Sequence, residues 1–139
     1  MSGIAQVDGM PNYFFDTTVL VAYFKKEDPR THELFAEVLN GQATATISAI
    51  TVAEVWSASD MTDATVREER RATINLLNIV AIDRAIAERG GELRREHNLA
   101  LPDALIAACA EQAGGRFLSK DPHFNRLSKT SGLDVQVYT

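Results

Sequence analysis

Strand-like and helix-like segments alternate along almost the whole chain, and this alternation most restricts the folds available to it. In NYFFDTTVLVAYF, β-prone aromatic residues precede Asp16, a residue that strands avoid and helix caps prefer, and an apolar helical stretch follows. The run ATATIS is likewise strand-like and continues into helical spacing. Such alternation is typical of an α/β domain whose mainly parallel central sheet is flanked by helices on both faces, an α/β/α sandwich.

The remaining segments continue the pattern. Amphipathic helices are predicted for DPRTHELFAEVLNG and DATVREERRATINLLNI. Asp83 caps a further predicted helix, in which Gly90 and Gly91 weaken the expected continuity. Pro102 precedes a helix over Ala104–Ala113, and short strands are predicted for NIVAI, RFLS and DVQVY.

A chain of 139 residues suits one domain that buries a core without disulfides. We expect residues 1–11 to form a loose N-terminal segment and residues 12–139 to form the domain. The one cysteine, Cys109, lies among alanines in an apolar helical run, which predicts a buried thiol. Neither a signal peptide nor an apolar run of spanning length is apparent, so we expect a cytoplasmic protein without membrane contact.

Three aspartates are predicted at one edge of the sheet. Asp16 directly follows the first strand, Asp121 follows the RFLS strand by two residues, and Asp103 lies in the first turn of a helix. Ligands of open parallel sheets bind beyond the carboxyl ends of the strands. Glu54 lies one turn into the helix after ATATIS, among apolar neighbours that indicate partial burial.

Buried carboxylates are unfavourable unless they are paired, hydrogen-bonded or bound to a metal, and neighbouring carboxylates raise one another's pKa. A divalent cation relieves both effects. Hard Mg²⁺ or Mn²⁺ suits carboxylate oxygens, whereas no spacing here suits zinc, because Cys109 stands alone and His32, His97 and His123 are scattered.

Each acid also has a purely structural interpretation. Asp16 is placed to cap a helix, Asp103 to stabilise a helix N-terminus, and Asp121 to initiate a turn. Glu54 is compatible with an ordinary helical glutamate. Asp83 also follows a strand and begins a helix, but nothing near it resembles a site, and we interpret it as a cap alone.

Four motifs in order carry a resemblance to a known family: FFDTTVLVAYF, ISAITVAEVW, LPDALIAACA and FLSKDPHF. Their acids are separated by 38, 49 and 18 residues. In content and order the motifs resemble those of PIN-domain ribonucleases, and the gaps resemble those of the small bacterial toxin branch called VapC. The resemblance extends from Tyr13 to Tyr138.

The resemblance implies an endoribonuclease that depends on Mg²⁺ or Mn²⁺ and hydrolyses RNA to 5′-phosphate and 3′-hydroxyl ends. Asp16, Glu54, Asp103 and Asp121 would form the catalytic quartet. Within it, Asp16 and Asp103 are the expected metal ligands, while Glu54 and Asp121 act directly or through water.

Two hydroxyl residues are implied as supporting groups. Ser119 stands where the family commonly has threonine, and its hydroxyl is expected to orient Asp16 or a water on the metal. Thr17 is placed either to hydrogen-bond near the phosphate or to cap the first helix.

Cations near the last acid are candidate RNA contacts, although they also suit an ordinary solvated surface. The net charge of −5 argues against binding through bulk electrostatic attraction. A second basic cluster, with the same two interpretations, contains Lys25, Lys26 and Arg30. The cations near the last acid are Arg116, Lys120, His123, Arg126 and Lys129.

The resemblance further implies a small VapB-like antitoxin as partner and a homodimer. The VLVAYF segment and the helix containing Trp56 are candidate contact surfaces, with core packing as the alternative for most of their residues. The alternative function is a catalytically degenerate PIN module that binds RNA or protein.

Two other classes share single features with this chain. A haloacid-dehalogenase phosphatase needs a second aspartate two positions after the first, where this chain has Thr18. A receiver domain clusters acids at strand ends, but it has no place for a helical Glu54 and its early acids are normally adjacent. Both fit less well than a nuclease.

Overall fold

The computed structural model describes residues 9–127 and 132–139. Within this part, five strands form one sheet in the order β3-β2-β1-β4-β5, and every neighbouring pair is parallel. The predicted parallel sheet is therefore confirmed. The strands are β1 (Asn12–Phe15), β2 (Thr44–Ser48), β3 (Asn78–Val80), β4 (Arg116–Ser119) and β5 (Asp134–Val137).

Helices connect these strands and cover both faces of the sheet, which confirms the predicted α/β/α fold. Two 3₁₀ turns, Ser59–Thr62 and Pro122–Leu127, occur where no element was predicted. The helices are α1 (Thr17–Lys25), α2 (Pro29–Leu39), α3 (Ala49–Trp56), α4 (Ala64–Ile74), α5 (Arg84–His97) and α6 (Leu101–Ala113).

Alternate side chains of the central strands pack into two separate cores. Phe14 contacts Phe117 edge-to-face at 5.7 Å between ring centroids, in the core that contains residues of α5 and α6. Phe15 points the other way and stacks on Phe35 of α2 at 5.0 Å. Because side chains alternate between the two faces of a strand, β1 and β4 are packed on both faces of the sheet. The residues that follow their carboxyl ends therefore lie at one edge.

The packing of α5 against α6 bears on two predictions, the weakness of α5 at its two glycines and the burial of Cys109. Helix α5 runs unbroken through Gly90 and Gly91, against the predicted weakness, because Gly90 lets α6 approach closely. A Cβ at Gly90 would lie 2.6 Å from the Leu105 Cδ2 atom, whereas Gly91 has open space around it. Cys109 is fully buried, as predicted, and its thiol donates to the Ser48 hydroxyl at 3.4 Å.

The two glycines provide a matched test of this packing. Gly91→Ala should raise the free energy of unfolding by roughly 0.5–1 kcal/mol, because alanine restricts the unfolded chain and meets no neighbour. Gly90→Ala should lose this gain through contact with Leu105. Urea denaturation of both variants measures the difference, and equal stabilisation by the two substitutions would contradict the close approach of α6.

Some predictions concern residues outside the described ranges. The predicted loose segment 1–11 falls largely on residues 1–8, and Lys129 also lies outside the description. Among the described residues, no helix has the length and apolar character needed to cross a membrane. In the VLVAYF segment, Val19, Leu20 and Ala22 are buried, so these three residues serve core packing rather than an exposed contact surface.

Candidate functional site

Four acids from four distant parts of the chain line one cleft of about 380 Å³. Asp16 follows β1, Glu54 lies on α3, Asp103 lies in the first turn of α6, and Asp121 comes two residues after β4. The parallel sheet brings the carboxyl ends of β1 and β4 together, as the sequence predicted. The cleft is also lined by Thr17, Thr18, Val21, Glu27 and Lys120.

Asp16 is the most buried of these acids, with only 2% of its surface exposed. Its Oδ2 atom accepts hydrogen bonds from the Thr18 hydroxyl at 2.7 Å and the Ser119 hydroxyl at 2.8 Å. Burial raises the pKa of Asp16, and these hydrogen bonds oppose that rise. Asp16 also caps α1 through the Thr18 amide, so the cap and the site acid are the same residue. The expectation that Ser119 orients Asp16 agrees with this geometry.

The pKa of Asp103 is raised by its surroundings in the cleft. Burial and the negative charges of Asp16, Asp121 and Glu54, in that order, raise its pKa from 3.8 to about 6. His123 acts in the opposite direction. A carboxylate whose pKa is raised by burial first and by three neighbouring acids second is typical of a site that binds a cation or shares protons.

Glu54 is exposed rather than partly buried, so the prediction from its neighbours was wrong. Val55 beside it is buried in the core, whereas Ala53 is exposed, and Glu54 itself lines the cleft. Its Oε1 atom accepts from the Thr17 hydroxyl at 2.6 Å. Thr17 in turn lies 2.8 Å from the hydroxyl of the fully buried Thr51. Since the single Thr17 proton goes to Glu54, Thr51 is the donor to Thr17, and Thr17 fixes Glu54 rather than capping α1.

Asp121 combines a turn with a place in the cleft. Its Oδ1 atom accepts from the His123 amide at 2.9 Å and lies 2.7 Å from the His123 ring Nδ1. The Asp121 amide donates to the Ser119 hydroxyl at 2.9 Å. The turn interpretation of Asp121 therefore agrees with the structure and Asp121 also lines the cleft, just as Asp16 both caps α1 and lines the cleft.

The candidate RNA-binding cations do not form one group. Lys120 lines the acidic cleft, while His123 and Arg126 line an adjoining hollow that shares Asp103 with it. Arg116 begins β4, at the opposite end of that strand from the cleft, and pairs with Asp134 at 3.3 Å. The structure therefore separates Arg116 from the other three.

The second basic cluster and Asp83 also lie apart from the cleft lining. Lys25, Lys26 and Arg30 are absent from that lining, and Arg30 lies 3.7 Å from Glu33 in an exposed pair. Asp83 caps α5 by accepting from the Ile86 amide at 2.9 Å, in agreement with its interpretation as a cap.

Lys120 ties the end of β4 to the start of α2. Its ammonium group forms an ion pair with Asp28, the N-cap of α2, and lies 3.7 Å from Glu27. The hydrogen bond from Lys120 is the largest cause that holds the pKa of Asp28 below its usual 3.8. This contact fixes one wall of the cleft.

Replacing Lys120 by methionine should therefore destabilise the fold by roughly 1–2 kcal/mol at neutral pH. Because the pKa of Asp28 is lowered in the folded state, the stabilisation is present above pH 3.8 and is lost as the pH falls through the folded pKa. Urea denaturation across this range should show wild type and Lys120→Met converging in acid. Arg30→Met, which removes the exposed pair with Glu33, should cost less, and an equal cost would contradict the role of Lys120.

The donor set of the cleft fits a hard divalent cation. All four acids offer carboxylate oxygens, which Mg²⁺ and Mn²⁺ prefer, and their mutual repulsion is relieved by positive charge. In the described part of the chain, no group of three or more His, Cys, Asp or Glu side chains is already arranged as a metal cluster. The assignment therefore depends on donor chemistry and a shared cleft.

Sequence reasoning missed two hydroxyl residues of this cleft. Thr18 bonds to Asp16, and Thr51 supports Thr17 from the core. The signal for Thr18 is its position two residues after a helix-capping aspartate, where its amide is a capping partner and its hydroxyl adjoins the same carboxylate. No comparable local signal marks Thr51, since its contact joins residues 34 positions apart.

Comparisons with known proteins agree with this geometry. Residues 13–130 match the family model described as PIN domain. A toxin–antitoxin complex from Klebsiella pneumoniae contains a similar chain, with 26% identity and a TM-score of 0.70 over 90% of this chain and 96% of that one. No match is found among curated proteins.

Two DNA-bound complexes show the same fold at lower identity. VapBC2 from Rickettsia felis, bound to a promoter DNA fragment, has 20% identity and a TM-score of 0.69 over 92% of this chain and 99% of that one. DNA-bound VapBC from Salmonella typhimurium has 19% identity and a TM-score of 0.67, with 94% and 100% covered.

The fold and the cleft together define a class of protein: an α/β/α domain with carboxylates gathered at the carboxyl edge of a parallel sheet. The family match identifies the class more closely. The chain belongs to the PIN domain family, and the resemblance inferred from its four motifs is confirmed.

Proposed function

We propose that this protein is a Mg²⁺- or Mn²⁺-dependent endoribonuclease and the toxin of a VapBC-type toxin–antitoxin pair. The observation that carries the proposal is the gathering of four acids from distant parts of the chain in one cleft, where burial and the other three acids raise the pKa of Asp103. Membership in the PIN domain family, whose members are generally nucleases, supports the reaction class.

The acids of the cleft have separate tasks in this proposal. Asp16 and Asp103 would hold the cation, with Glu54 and Asp121 acting directly or through water. When bound, the divalent cation supplies Lewis acidity toward water and the phosphate of the RNA backbone. The chain itself then needs no side-chain nucleophile, and its acids act by position and charge.

The cations beside the cleft suit the phosphates that flank the cleaved bond. Lys120 is inside the cleft, and His123 and Arg126 line the hollow that adjoins it at Asp103. Phosphate contacts of this kind position a nucleic acid without reading its sequence. Arg116, at the other end of β4, has no part in this proposal.

The cleavage proposal is tested with the purified chain and a structured RNA. Wild type should cleave with Mg²⁺ or Mn²⁺, should stop with EDTA, and should leave 5′-phosphate ends. Asp103→Ala should be inactive under the same conditions. Equal cleavage by the two proteins would remove this cleft as the active site. Inactivity of a folded, metal-binding wild type would favour the alternative, a PIN module that binds RNA or protein.

A partner chain is the second part of the proposal. The similar structures are toxin–antitoxin complexes, among them VapBC pairs, which supports a small VapB-like antitoxin as partner. A homodimer of the toxin is expected from the motif resemblance alone. The expected place of action is the cytoplasm, where RNA is present.

Expression in a bacterial host tests the toxin role. Wild type should arrest growth, Asp103→Ala should not, and the product of a small adjacent gene should restore growth when it is co-expressed. Unimpaired growth of cells that contain active wild-type enzyme would contradict the toxin role while leaving the nuclease activity in place.

A further inference from the structure

Two hydroxyl groups join the buried carboxylate of Asp16 to the backbone that carries Asp121. The Thr18 hydroxyl donates to Asp16 Oδ2 at 2.7 Å and accepts from the Lys120 amide at 2.9 Å. The Ser119 hydroxyl donates to the same Oδ2 atom at 2.8 Å and accepts from the Asp121 amide at 2.9 Å. Two consecutive backbone amides are thus held to one carboxylate oxygen through two side chains.

The direction of every bond in this network is fixed by chemistry. A backbone amide only donates, so both hydroxyl oxygens act as acceptors toward residues 120 and 121. Each hydroxyl then has one proton left, and an ionised carboxylate only accepts. The two hydroxyl oxygens lie 3.5 Å apart. Because both protons are directed to Asp16, neither hydroxyl donates a hydrogen bond to the other.

The consequence is a fixed relation between the first and the fourth acid. Asp16 and Asp121 are 105 positions apart in sequence, and the main-chain contact between them, from the Asp16 amide to the Leu118 carbonyl at 3.0 Å, stops before the segment that carries Asp121. Beyond that contact, the two hydroxyl bridges hold this segment. Lys120 is also tied at its other end through Asp28, so a shift of residues 120–121 meets resistance on both sides.

We propose that Thr18 is a positioning residue for metal binding: its hydroxyl orients the Asp16 carboxylate and holds the backbone of Lys120 beside it. This inference rests on the proposed function. Ser119 was expected in such a role from its place in the fourth motif, whereas Thr18 was considered only as the residue that replaces a phosphatase aspartate. Supporting contacts to a metal ligand typically change metal affinity by about 10–100-fold.

The test compares Thr18→Val with Thr18→Ser in the otherwise unchanged chain. Valine keeps the size of threonine but removes the hydroxyl, whereas serine keeps the hydroxyl. Calorimetric titration of Mn²⁺ into metal-free protein should show about 10–100-fold weaker binding for Thr18→Val and nearly wild-type binding for Thr18→Ser. Amide hydrogen exchange at Lys120 should accelerate in the valine variant alone.

Thr44→Val is the matched control for the loss of a threonine hydroxyl. Thr44 lies at the start of β2, at the amino ends of the strands and therefore away from the cleft at their carboxyl ends. Its hydroxyl donates to the Asn12 side chain at 2.9 Å. Its replacement should lower stability without changing Mn²⁺ affinity or exchange at Lys120. If Thr44→Val weakened Mn²⁺ binding as much as Thr18→Val, general destabilisation would explain both losses and the proposal would be overturned.

The outcomes also separate this proposal from the function on which it rests. Wild-type Mn²⁺ binding that is unchanged in Thr18→Val overturns the role of Thr18 alone. Equal losses in the valine and serine variants overturn it as well, because the hydroxyl would then not matter. A wild type that binds no Mn²⁺ contradicts the proposed function, and the positioning role falls with it.

Discussion

Replacing Asp103 by asparagine is expected to abolish RNA cleavage and, at the same time, to stabilise the metal-free protein. Because even supporting contacts of a metal ligand are worth about 10–100-fold, loss of the ligand itself should lower the cleavage rate by about 10³-fold. The stabilisation follows from the raised pKa of Asp103, which burial and three neighbouring acids bring to about 6. At neutral pH the charged carboxylate is less favourable in the folded protein than in the unfolded chain. A neutral amide at this position removes that cost.

The gain in the free energy of unfolding should be about 3 kcal/mol at about pH 7.5, from the pKa difference between the folded and unfolded states. Urea denaturation of EDTA-treated proteins measures it, and cleavage of the same preparations measures the loss of activity. Asp83→Asn serves as the control, because Asp83 follows a strand and caps a helix but lies outside the cleft lining. An Asp103→Asn variant that is both inactive and less stable than wild type would indicate a structural role instead.

The stability of the metal-free wild type should increase when the pH is lowered from about 7.5 to about 5, by on the order of 2 kcal/mol. The pKa of Asp103 is about 6 in the folded state and near 3.8 in the unfolded state, so between these values the folded protein binds more protons. Protonation within this window therefore favours folding. Burial raises the pKa of Asp16 in the same direction.

Bound metal should reverse this dependence, because a cation favours the ionised carboxylates that protons would otherwise neutralise. The increase in melting temperature caused by saturating Mn²⁺ should thus be larger at about pH 7.5 than at about pH 5. Calorimetric melting curves with EDTA or Mn²⁺ at both pH values provide the comparison. A Mn²⁺ effect that does not change with pH would show that the coupled carboxylates are not the ligands.

Much of the fold was predictable because its signals are local. The aromatic strand before Asp16, the capping role of Asp83 and the burial of Cys109 each depend on residues within a few positions, and all three agree with the structure. The parallel sheet then follows from alternation, since parallel strands need crossover connections. Its carboxyl edge brings Asp16 and Asp121 to the cleft that they share.

The differences arise where contacts between distant parts of the chain decide the outcome. From the sequence, Gly90 weakens the predicted helix, and only the close approach of α6 explains why a glycine stands there. Glu54 is exposed because the position of the cleft, rather than the polarity of adjacent residues, determines its surroundings. Arg116 is close to the last acid in sequence but lies at the other end of a strand. The hydroxyl contact of Thr18 with the Lys120 amide joins residues 102 positions apart, so no local pattern predicts it.

Calorimetric titration of Mn²⁺ into the metal-free chain at about pH 7.5 shows directly whether the four acids form a metal site. We expect wild type and Asp83→Asn to bind Mn²⁺ alike, because Asp83 lies outside the cleft lining. Asp103→Asn should bind at least about 10-fold more weakly. Binding of equal strength by wild type and Asp103→Asn, or no binding by wild type, would contradict a metal site in this cleft.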